Sequence, residues 1–300
     1  MNSMPLYRIG VDMGGTKIET VILDEKGFES YRRRVSTPSK DGYDVILNTL
    51  VREIETAKEK LASRHNVTIG VCIPGSVNPD DGLIQNANTT CLNGMPFHHD
   101  VNMRLNHKVA MENDANCFAL AEAVAGAARG YSLVFGVIMG TGCGGGISID
   151  GRVRKGPHAM AGEWGHVSID PEGAPCFCGK KGCIETKISG GGVEKAYERK
   201  FGAHLSMNAI VAGFRKGDPE CADIFKTFLD DFGRSLGGLI SILDPDAVVL
   251  GGGLSNIDEL YTMGVENVRR YAFHQNLKTP ILRNSLGDSA GVIGASWIGI

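Results

Sequence analysis

Apolar positions in this chain fall into short, strand-length blocks separated by glycine turns, with longer stretches at helical spacing between them. The first block runs from Tyr7 through Ile9, Val11 and Met13 into a glycine turn, and the outgoing alternation of Val21 and Leu23 predicts strand, turn, strand. This pattern returns at an offset of 126 residues, where Ile9–Asp24, IGVDMGGTKIETVILD, falls on Phe135–Asp150, FGVIMGTGCGGGISID. Gly10, Val11, Met13 and Gly14 meet Gly136, Val137, Met139 and Gly140, and Val21 and Leu23 meet Ile147 and Ile149. Such self-similarity predicts a duplicated domain. Between the copies, MENDANCFALAEAVAGAA places apolar and small residues at helical spacing directly after Asn113 and Asp114. Farther on, Thr186–Asp231 reads mostly as helix, with Gly190–Gly192 near its start. Ala247–Leu250 forms a short apolar strand ending in Gly251, Gly252 and Gly253, and Ser255 and Asn256 then predict a helix start. The last segment, GDSAGVIGASWIGI, predicts a closing helix.

A length of 300 residues suggests two domains, and 42% hydrophobic with 22% charged residues is ordinary for a soluble globular protein. The expected architecture is α/β with two lobes, residues 5–118 and 119–287, a helix from 288–300 returning to the first lobe, and a site in the cleft between them. A net charge of −3 gives no general basic excess for nucleic acid or anionic lipid, so anionic ligands must be met locally. No run approaches the about 18 apolar residues of a membrane span, and the N-terminus has no charged leader with a cleavage site. These features predict a cytoplasmic protein without a membrane partner. Cys72, Cys91, Cys117, Cys143 and Cys221 are scattered through strand-like and helical segments, which fits reduced thiols better than a disulfide framework.

The two glycine hairpin turns are the first candidate chemistry. Backbone N–H groups at such a turn can cradle phosphate oxygens, because no side chain blocks the approach. Two turns facing each other, around Gly14, Gly15 and Thr16 and around Gly140, Thr141 and Gly142, would clasp a polyphosphate. Asp12 in the first copy is replaced by Ile138 in the second, so only the first carries a charge suited to Mg²⁺ or its waters. Thr16 and Lys17 offer a hydroxyl and a cation. The plainer alternative makes Asp12 a turn former and Lys17 a solvated residue. Neither a Walker loop nor a Rossmann fingerprint is present, since a strand follows the glycines. Gly251, Gly252 and Gly253 would let a flat ring approach, the adenosine end of a nucleotide, although tight packing would also call for glycine there.

Asp114 is placed at a helix N-terminus, where the helix dipole favours an ionised carboxylate able to accept a proton from a hydroxyl; a simple Asn or Asp cap is the alternative. IPGS at Ile73–Ser76 and NANTTCLNG at Asn86–Gly94, Asn88 among them, offer amides and hydroxyls to a polyhydroxylated ligand. The stretch Gly162–Glu185, GEWGHVSIDPEGAPCFCGKKGCIE, packs His166, Cys176, Cys178 and Cys183 into the spacing of a closed tetrahedral Zn²⁺ site, with Gly179 and Gly182 for the tight backbone path. Four protein ligands leave no position for an activated water, which makes the metal a structural brace beside Glu163 and Glu185. Buried thiols with surface carboxylates are the alternative.

Taken together, these motifs resemble the ROK family (repressors, open reading frames, kinases) of the actin-like, ribonuclease H-like ATPase superfamily, over nearly the whole chain. D-M-G-G-T-K at Asp12–Lys17 and G-T-G-C-G-G-G at Gly140–Gly146 are similar to its phosphate motifs, L-G-G-G-L-S at Leu250–Ser255 to its adenosine motif, and E-N-D-A-N at Glu112–Asn116 to its catalytic segment. G-E-W-G-H followed by C-F-C-G-K-K-G-C-I-E is similar to its sugar and zinc signature. The resemblance implies a sugar kinase using ATP with Mg²⁺ and holding a structural Zn²⁺. It implies Asp114 as base, with Gly75, Ser76, Asn113, Glu163, His166 and Glu185 on the sugar and His166 also on zinc. A homodimer is implied as well. The nine residues between His166 and Cys176 are fewer than in some fructokinase-like members, which implies a reshaped sugar rim.

Within that family, N-A-N-T-T-C-L-N-G-M-P-F with I-P-G-S resembles the fructokinase and mannokinase branch. The resemblance therefore implies transfer to the 6-hydroxyl of a hexose, D-fructose first and mannose with it, with N-acetylglucosamine kinase as the alternative. A sugar-responsive DNA-binding regulator or a non-catalytic sugar-binding module are the readings from other classes. With the first phosphate strand starting by residue 8, the regulator would lack an N-terminal DNA-binding domain, and no nucleic-acid partner is expected.

Overall fold

The computed structural model describes residues 6–61, 66–274 and 276–299, so residues 5 and 300, the outer limits of the expected lobes, lie outside the described residues. Two five-stranded sheets of matching topology carry the fold. The first is built from β1 (Tyr7–Met13), β2 (Lys17–Leu23) and β3 (Glu29–Ser36), then, after α1 (Tyr43–Lys58), β4 (Val67–Ile73). A two-stranded ribbon, β5 (Ser76–Val77) and β6 (Ile84–Gln85), and α2 (Phe97–Leu105) precede its last strand, β7 (Val109–Asn113). Its order is β3-β2-β1-β4-β7, with β1 antiparallel to β2 and parallel to β4.

Helix α3 (Asp114–Val124) leads to the second sheet: β8 (Leu133–Met139), β9 (Cys143–Ile149) and β10 (Arg152–Val153). Then come the helices α4 (Glu185–Ile188), α5 (Gly190–Phe201), α6 (Met207–Arg215) and α7 (Pro219–Leu243). Strand β11 (Ala247–Gly251), α8 (Met263–Tyr271), β12 (Ile281–Arg283) and α9 (Ala290–Ile298) complete the order. The second sheet runs β10-β9-β8-β11-β12. Each sheet thus sets an antiparallel three-stranded meander, β3-β2-β1 or β10-β9-β8, beside two further strands parallel to β1 or β8.

Alternation along β1 separates two faces. Ile9, Val11 and Met13 pack with Ile46, Leu47, Leu50 and Ile54 of α1 and with Phe97 of α2. Gly10 and Asp12 face α9 instead, and the close approach explains the glycine: a Cβ at Gly10 would overlap the carbonyl of Val292, and one at Gly70 that of Ala295. In the second half, Phe225, Phe228, Phe232 and Leu236 of α7 pack on Val137, Met139, Val248 and Leu250. Each such buried side chain contributes about 1.5–3 kcal/mol. Helix α7 begins with Asp218 accepting the Cys221 N–H at 2.8 Å and Pro219 in its first turn. On the opposite face Phe118 and Ala121 of α3 meet Val134, Ala247, Val249 and Ala290. Helices α3 and α9 thereby stand between the two sheets.

Two details differ from the sequence reading. The 126-residue offset holds for β1 and β8 but slips in the outgoing strands. Met13 pairs with Ile18 across Gly14–Lys17, whereas Met139 pairs with Cys143 across the shorter Gly140–Gly142. Val21 therefore stands opposite Gly10 where Gly146, not Ile147, stands opposite Gly136. A one-residue slip reverses the faces, so Ile149 is exposed while Leu23 is buried. Ser255 and Asn256 also open no α-helix: they end a 3₁₀ turn, Gly253–Asn256, and α8 begins only at Met263. Their side chains bond back, Ser255 Oγ to the Gly252 carbonyl at 2.7 Å and Asn256 Nδ2 to that of Gly253 at 3.3 Å, rather than accepting amides ahead as a cap does.

Candidate functional site

A cavity of about 340 Å³ opens between the sheets, lined by Asp12, Asp114, Ile138, Gly252 and Gly253 together with the segment around Asn284, Gly287, Asp288 and Gly291. A second hollow of about 360 Å³ shares Gly253 and Asn256 with it and continues toward Val211, Arg215 and Lys216. The two lie on either side of shared lining residues, with carboxylates in the first and basic side chains in the second. A Cβ at Gly253 or Gly140 would stand in open space, so packing does not require glycine there and room for a ligand remains. Gly252 differs: it has φ 76°, and a Cβ would overlap the Met139 carbonyl. Gly251 is closed off by the Phe118 ring, leaving Gly252 and Gly253 to form the wall.

Asp114 is the first residue of α3, and Asn113 takes the capping role, its side-chain oxygen accepting the Asn116 N–H at 2.8 Å. Asp114 is thereby left facing the cleft, with its carboxylate accepting the Ala115 N–H at 2.8 Å. Dense protein around the carboxylate raises its pKa by desolvation, opposed by the Ala115 and Asp114 N–H groups. Asp12 is raised by burial first, against a hydrogen bond from the Cys72 thiol, and the neighbouring Asp114 charge pushes it farther up. Glu163 is open to solvent, yet the protein packed around it raises its pKa by desolvation, with His166 lowering it and Asp114 and Glu185 raising it. Asp12 and Asp114 thus meet in the cavity from distant parts of the chain, with Glu163 close enough to sense Asp114, an arrangement that favours a cation or a proton-accepting role.

The turn around Gly14, Gly15 and Thr16 is closed by the Gly14 N–H donating to the Lys17 carbonyl at 2.9 Å, and Gly140 donates to Gly142 at the same distance. Gly15, Thr16, Thr141 and Gly142 form the exposed tips. Lys17 lies 3.5 Å from the buried Glu19 carboxylate, which also meets Arg32 and Arg34. The second turn is fastened from below, where Gly190 donates to the Gly140 carbonyl at 2.7 Å. On the first half, Gly75 has φ 121° and little space, its Cβ position being 2.7 Å from the Gln85 carbonyl. Ser76 Oγ accepts from Gln85 Nε2 at 3.3 Å, and Asn88 is exposed in a loop pinned by Asn93, whose side chain bonds Ala87 N and O at 2.8 and 3.0 Å. Gly75, Ser76 and Asn88 do not line the cavity itself.

His166, Cys176, Cys178 and Cys183 converge, their donor atoms all within 4.8 Å of one another. The paths from Pro175 to Lys181 and from Ser168 to Cys183 form bridges that fold the segment into a knuckle. Gly179 and Gly182 sit there at φ 88° and 58°, and a Cβ at Gly182 would overlap the Asp170 carbonyl. Cys178 Sγ is 3.6 Å from Cys183 Sγ, and Cys176 Sγ is 3.6 Å from His166 Nδ1. Zn–S bonds of about 2.3 Å imply tetrahedral edges of about 3.8 Å, so this donor set fits Zn²⁺. With Nδ1 turned to the sulfurs, Nε2 of His166 is left for another partner.

Asn284, Gly287, Asp288 and Gly291 are cavity residues that sequence reasoning did not single out. Gly291 abuts Asp12, a Cβ there lying 2.7 Å from Oδ2. The glycines of GDSAG were a signal, but nothing in their spacing tells that β12 would bring them to this wall.

Among the described residues no helix is long and apolar enough to cross a membrane. The ROK family model matches residues 8–300. The chain is 37% identical over 298 residues to the N-acetylgalactosamine kinase AgaK of Shewanella sp. (strain ANA-3), covering 97% of this chain and 96% of that one. It is 38% identical over 301 residues to the N-acetyl-D-glucosamine kinase of Pasteurella multocida (strain Pm70), covering 96% and 98%. Its structure is similar to that of a ROK hexokinase from Thermus thermophilus, with TM-score 0.89, 30% identity and coverage of 99% and 98%.

Proposed function

We propose that this chain, which belongs to the ROK family, is an ATP-dependent kinase phosphorylating the 6-hydroxyl of an N-acetylhexosamine, N-acetylglucosamine first. The observation that carries the amino-sugar reading is the identity of 37–38% over nearly full length with kinases named for N-acetylgalactosamine and N-acetylglucosamine. The fructokinase and mannokinase reading of Asn86–Phe97 gives way to it. That segment is a surface loop whose amides and hydroxyls suit many sugars, so its resemblance has little power to choose among them.

In this reading Asp114 accepts the proton of the sugar hydroxyl while that oxygen attacks the γ-phosphorus of ATP, and the bond to the bridging oxygen of ADP breaks. Its raised pKa suits a base that must take up a proton in the transition state and release it afterwards. Asp12 would hold Mg²⁺, directly or through water, and Mg²⁺ would neutralise charge on the β- and γ-phosphates. The turns at Gly14–Thr16 and Gly140–Gly142 would support the phosphates, and Gly252, Gly253 and Asn256 the adenosine. Glu163, Glu185 and Nε2 of His166 would orient sugar hydroxyls, with zinc on His166, Cys176, Cys178 and Cys183 bracing them. Residues 5–118 with 288–300, and residues 119–287, would be the lobes that close over the sugar and exclude competing water.

The test is ADP release from zinc-replete protein with MgATP against N-acetylglucosamine, N-acetylgalactosamine, N-acetylmannosamine, fructose, mannose and glucose, comparing kcat/KM. An N-acetylhexosamine should lead. A lead for fructose would return the reading to the other branch, and no turnover with any sugar would remove the kinase assignment.

A further inference from the structure

Glu122 is completely buried in α3, two turns beyond Asp114, and among the described residues no basic side chain forms an ion pair with it. Its carboxylate is held instead by backbone amides. Oε2 accepts the Ala127 N–H at 2.7 Å, and the two oxygens take the N–H groups of Ser285 at 3.2 Å and Leu286 at 3.1 Å, from a segment more than 160 residues away in sequence. A carboxylate at zero exposure is tolerated only when such donors replace its water. Gly126 makes the room, since a Cβ there would overlap Glu122 Oε2.

The segment that Glu122 holds is the unassigned wall of the cavity. Asn284, immediately before Ser285, donates from Nδ2 to the Leu250 carbonyl and to Ser255 Oγ, both at 3.0 Å, and Ser255 Oγ in turn donates to the Gly252 carbonyl at 2.7 Å. Asn284 Oδ1 accepts the Gly287 N–H at 3.2 Å. The segment is therefore fastened on one side to the glycine wall at Gly252 and on the other to the helix whose first residue is Asp114.

We propose that Glu122 is a positioning residue that sets the distance between the Asp114 end of the cleft and the nucleotide wall formed by Asn284–Asp288 and Gly252–Asn256. The proposal rests on the kinase reading above. Loss of the clamp lets the 284–288 wall drift from its place, which weakens the nucleotide and leaves the sugar contacts at Glu163, His166 and Glu185 untouched. A merely structural role would lower the active fraction and so kcat, without moving one KM and not the other.

The experiment is steady-state kinetics of Glu122→Gln and Gly126→Ala beside the wild-type protein, with ATP and the preferred sugar varied separately. In Glu122→Gln one oxygen becomes an amide facing amides, and in Gly126→Ala the carboxylate keeps its charge but is displaced. Both should raise KM for ATP by about tenfold, from weakened bonds to a charged acceptor, with sugar KM within about twofold of wild type. In the wild-type protein, hydrogen exchange at the Ser285 and Leu286 amides should slow when a non-hydrolysable ATP analogue is added. Unchanged KM for ATP in either folded variant, an equal rise in both KM values, or exchange indifferent to nucleotide would overturn the proposal. A wild-type protein inactive on every sugar would instead remove the kinase reading beneath it.

Discussion

The carboxylate of Glu185 accepts the backbone N–H of Cys143 at 3.0 Å, so a side chain next to the cysteine and histidine knuckle is fastened to the first residue after the second glycine turn. Sugar and phosphate ends of the proposed site share this bond. Gly142 lies just outside it, with a Cβ position 2.8 Å from Glu185 Oε2.

Gly142→Ala should therefore shift the Glu185 carboxylate without unfolding the protein, because the obstructed atom is the end of a flexible side chain. We expect a rise in sugar KM of about tenfold, the loss of one charge-assisted hydrogen bond, with thermal unfolding little changed. Steady-state kinetics paired with a thermal melt checks this, and an unaltered KM would place Glu185 outside the sugar site.

Asp114→Asn should keep the fold and lower kcat by about 10²–10⁴-fold, the usual contribution of a positioned base. Since burial raises the Asp114 pKa, the acid limb of the wild-type rate profile should lie above the ordinary carboxylate value of about 3.9. Activity falls as pH drops through that limb. A pH–rate profile with its midpoint at or below the ordinary value would contradict the assignment.

The same shift has a stability consequence with a definite sign. A carboxyl whose folded pKa is raised favours the folded state while protonated, and that contribution is lost as pH rises through the folded value. Because Asp114 is open to the cleft, solvent screens the effect, so Asp114→Asn should melt only slightly higher than wild type at pH 7, and the difference should vanish in acid, below the unfolded value. Asp12, less exposed and raised for the same first reason, should behave alike.

Metal analysis of the purified protein should find zinc, and Cys178→Ser or exhaustive chelation should weaken sugar binding along with stability, because His166, proposed to meet the sugar through Nε2, has its Nδ1 beside Cys176 Sγ. Isothermal titration with the sugar checks it. Full sugar affinity in verified zinc-free protein would separate the knuckle from the site.

Much of this arrangement was legible because it is local. Three cysteines and a histidine within a short span can meet only by a tight knuckle, and an Asn-Asp pair before a helical run predicts a carboxylate at a helix start. The paired hairpins were visible because a glycine-rich turn after a matching apolar strand repeats. What escaped depended on longer range. The one-residue slip between Val21 and Ile147 follows from turn length, which the glycine pattern blurs. Ser255 looked like a cap because its residue type favours one, but its hydroxyl bonds back to Gly252 and onward to Asn284, a partner delivered by strand order. Asn284 and Asp288 reach the cavity for the same reason. The fructose reading rested on a loop whose polar groups suit several hexoses, and the amino-sugar kinases among the relatives favour the other reading.

Gly70→Ala should cost about 1–3 kcal/mol or more in urea unfolding, since its Cβ would run into the Ala295 carbonyl of α9, which is backbone and cannot swing aside. A neutral result would mean that α9 can stand off from β4.

That close seating of α9 has a consequence for the newborn chain. Residues 290–298 cover the Gly10 and Gly70 face of a sheet whose strands are all made by residue 113. While the ribosome is still adding the intervening residues, that face lies bare, and at about 5–20 residues per second the interval lasts on the order of ten seconds or more. This sheet must wait for a helix made only after every strand of the second sheet, so quality control has a window in which to act on this protein that closes only when α9 arrives.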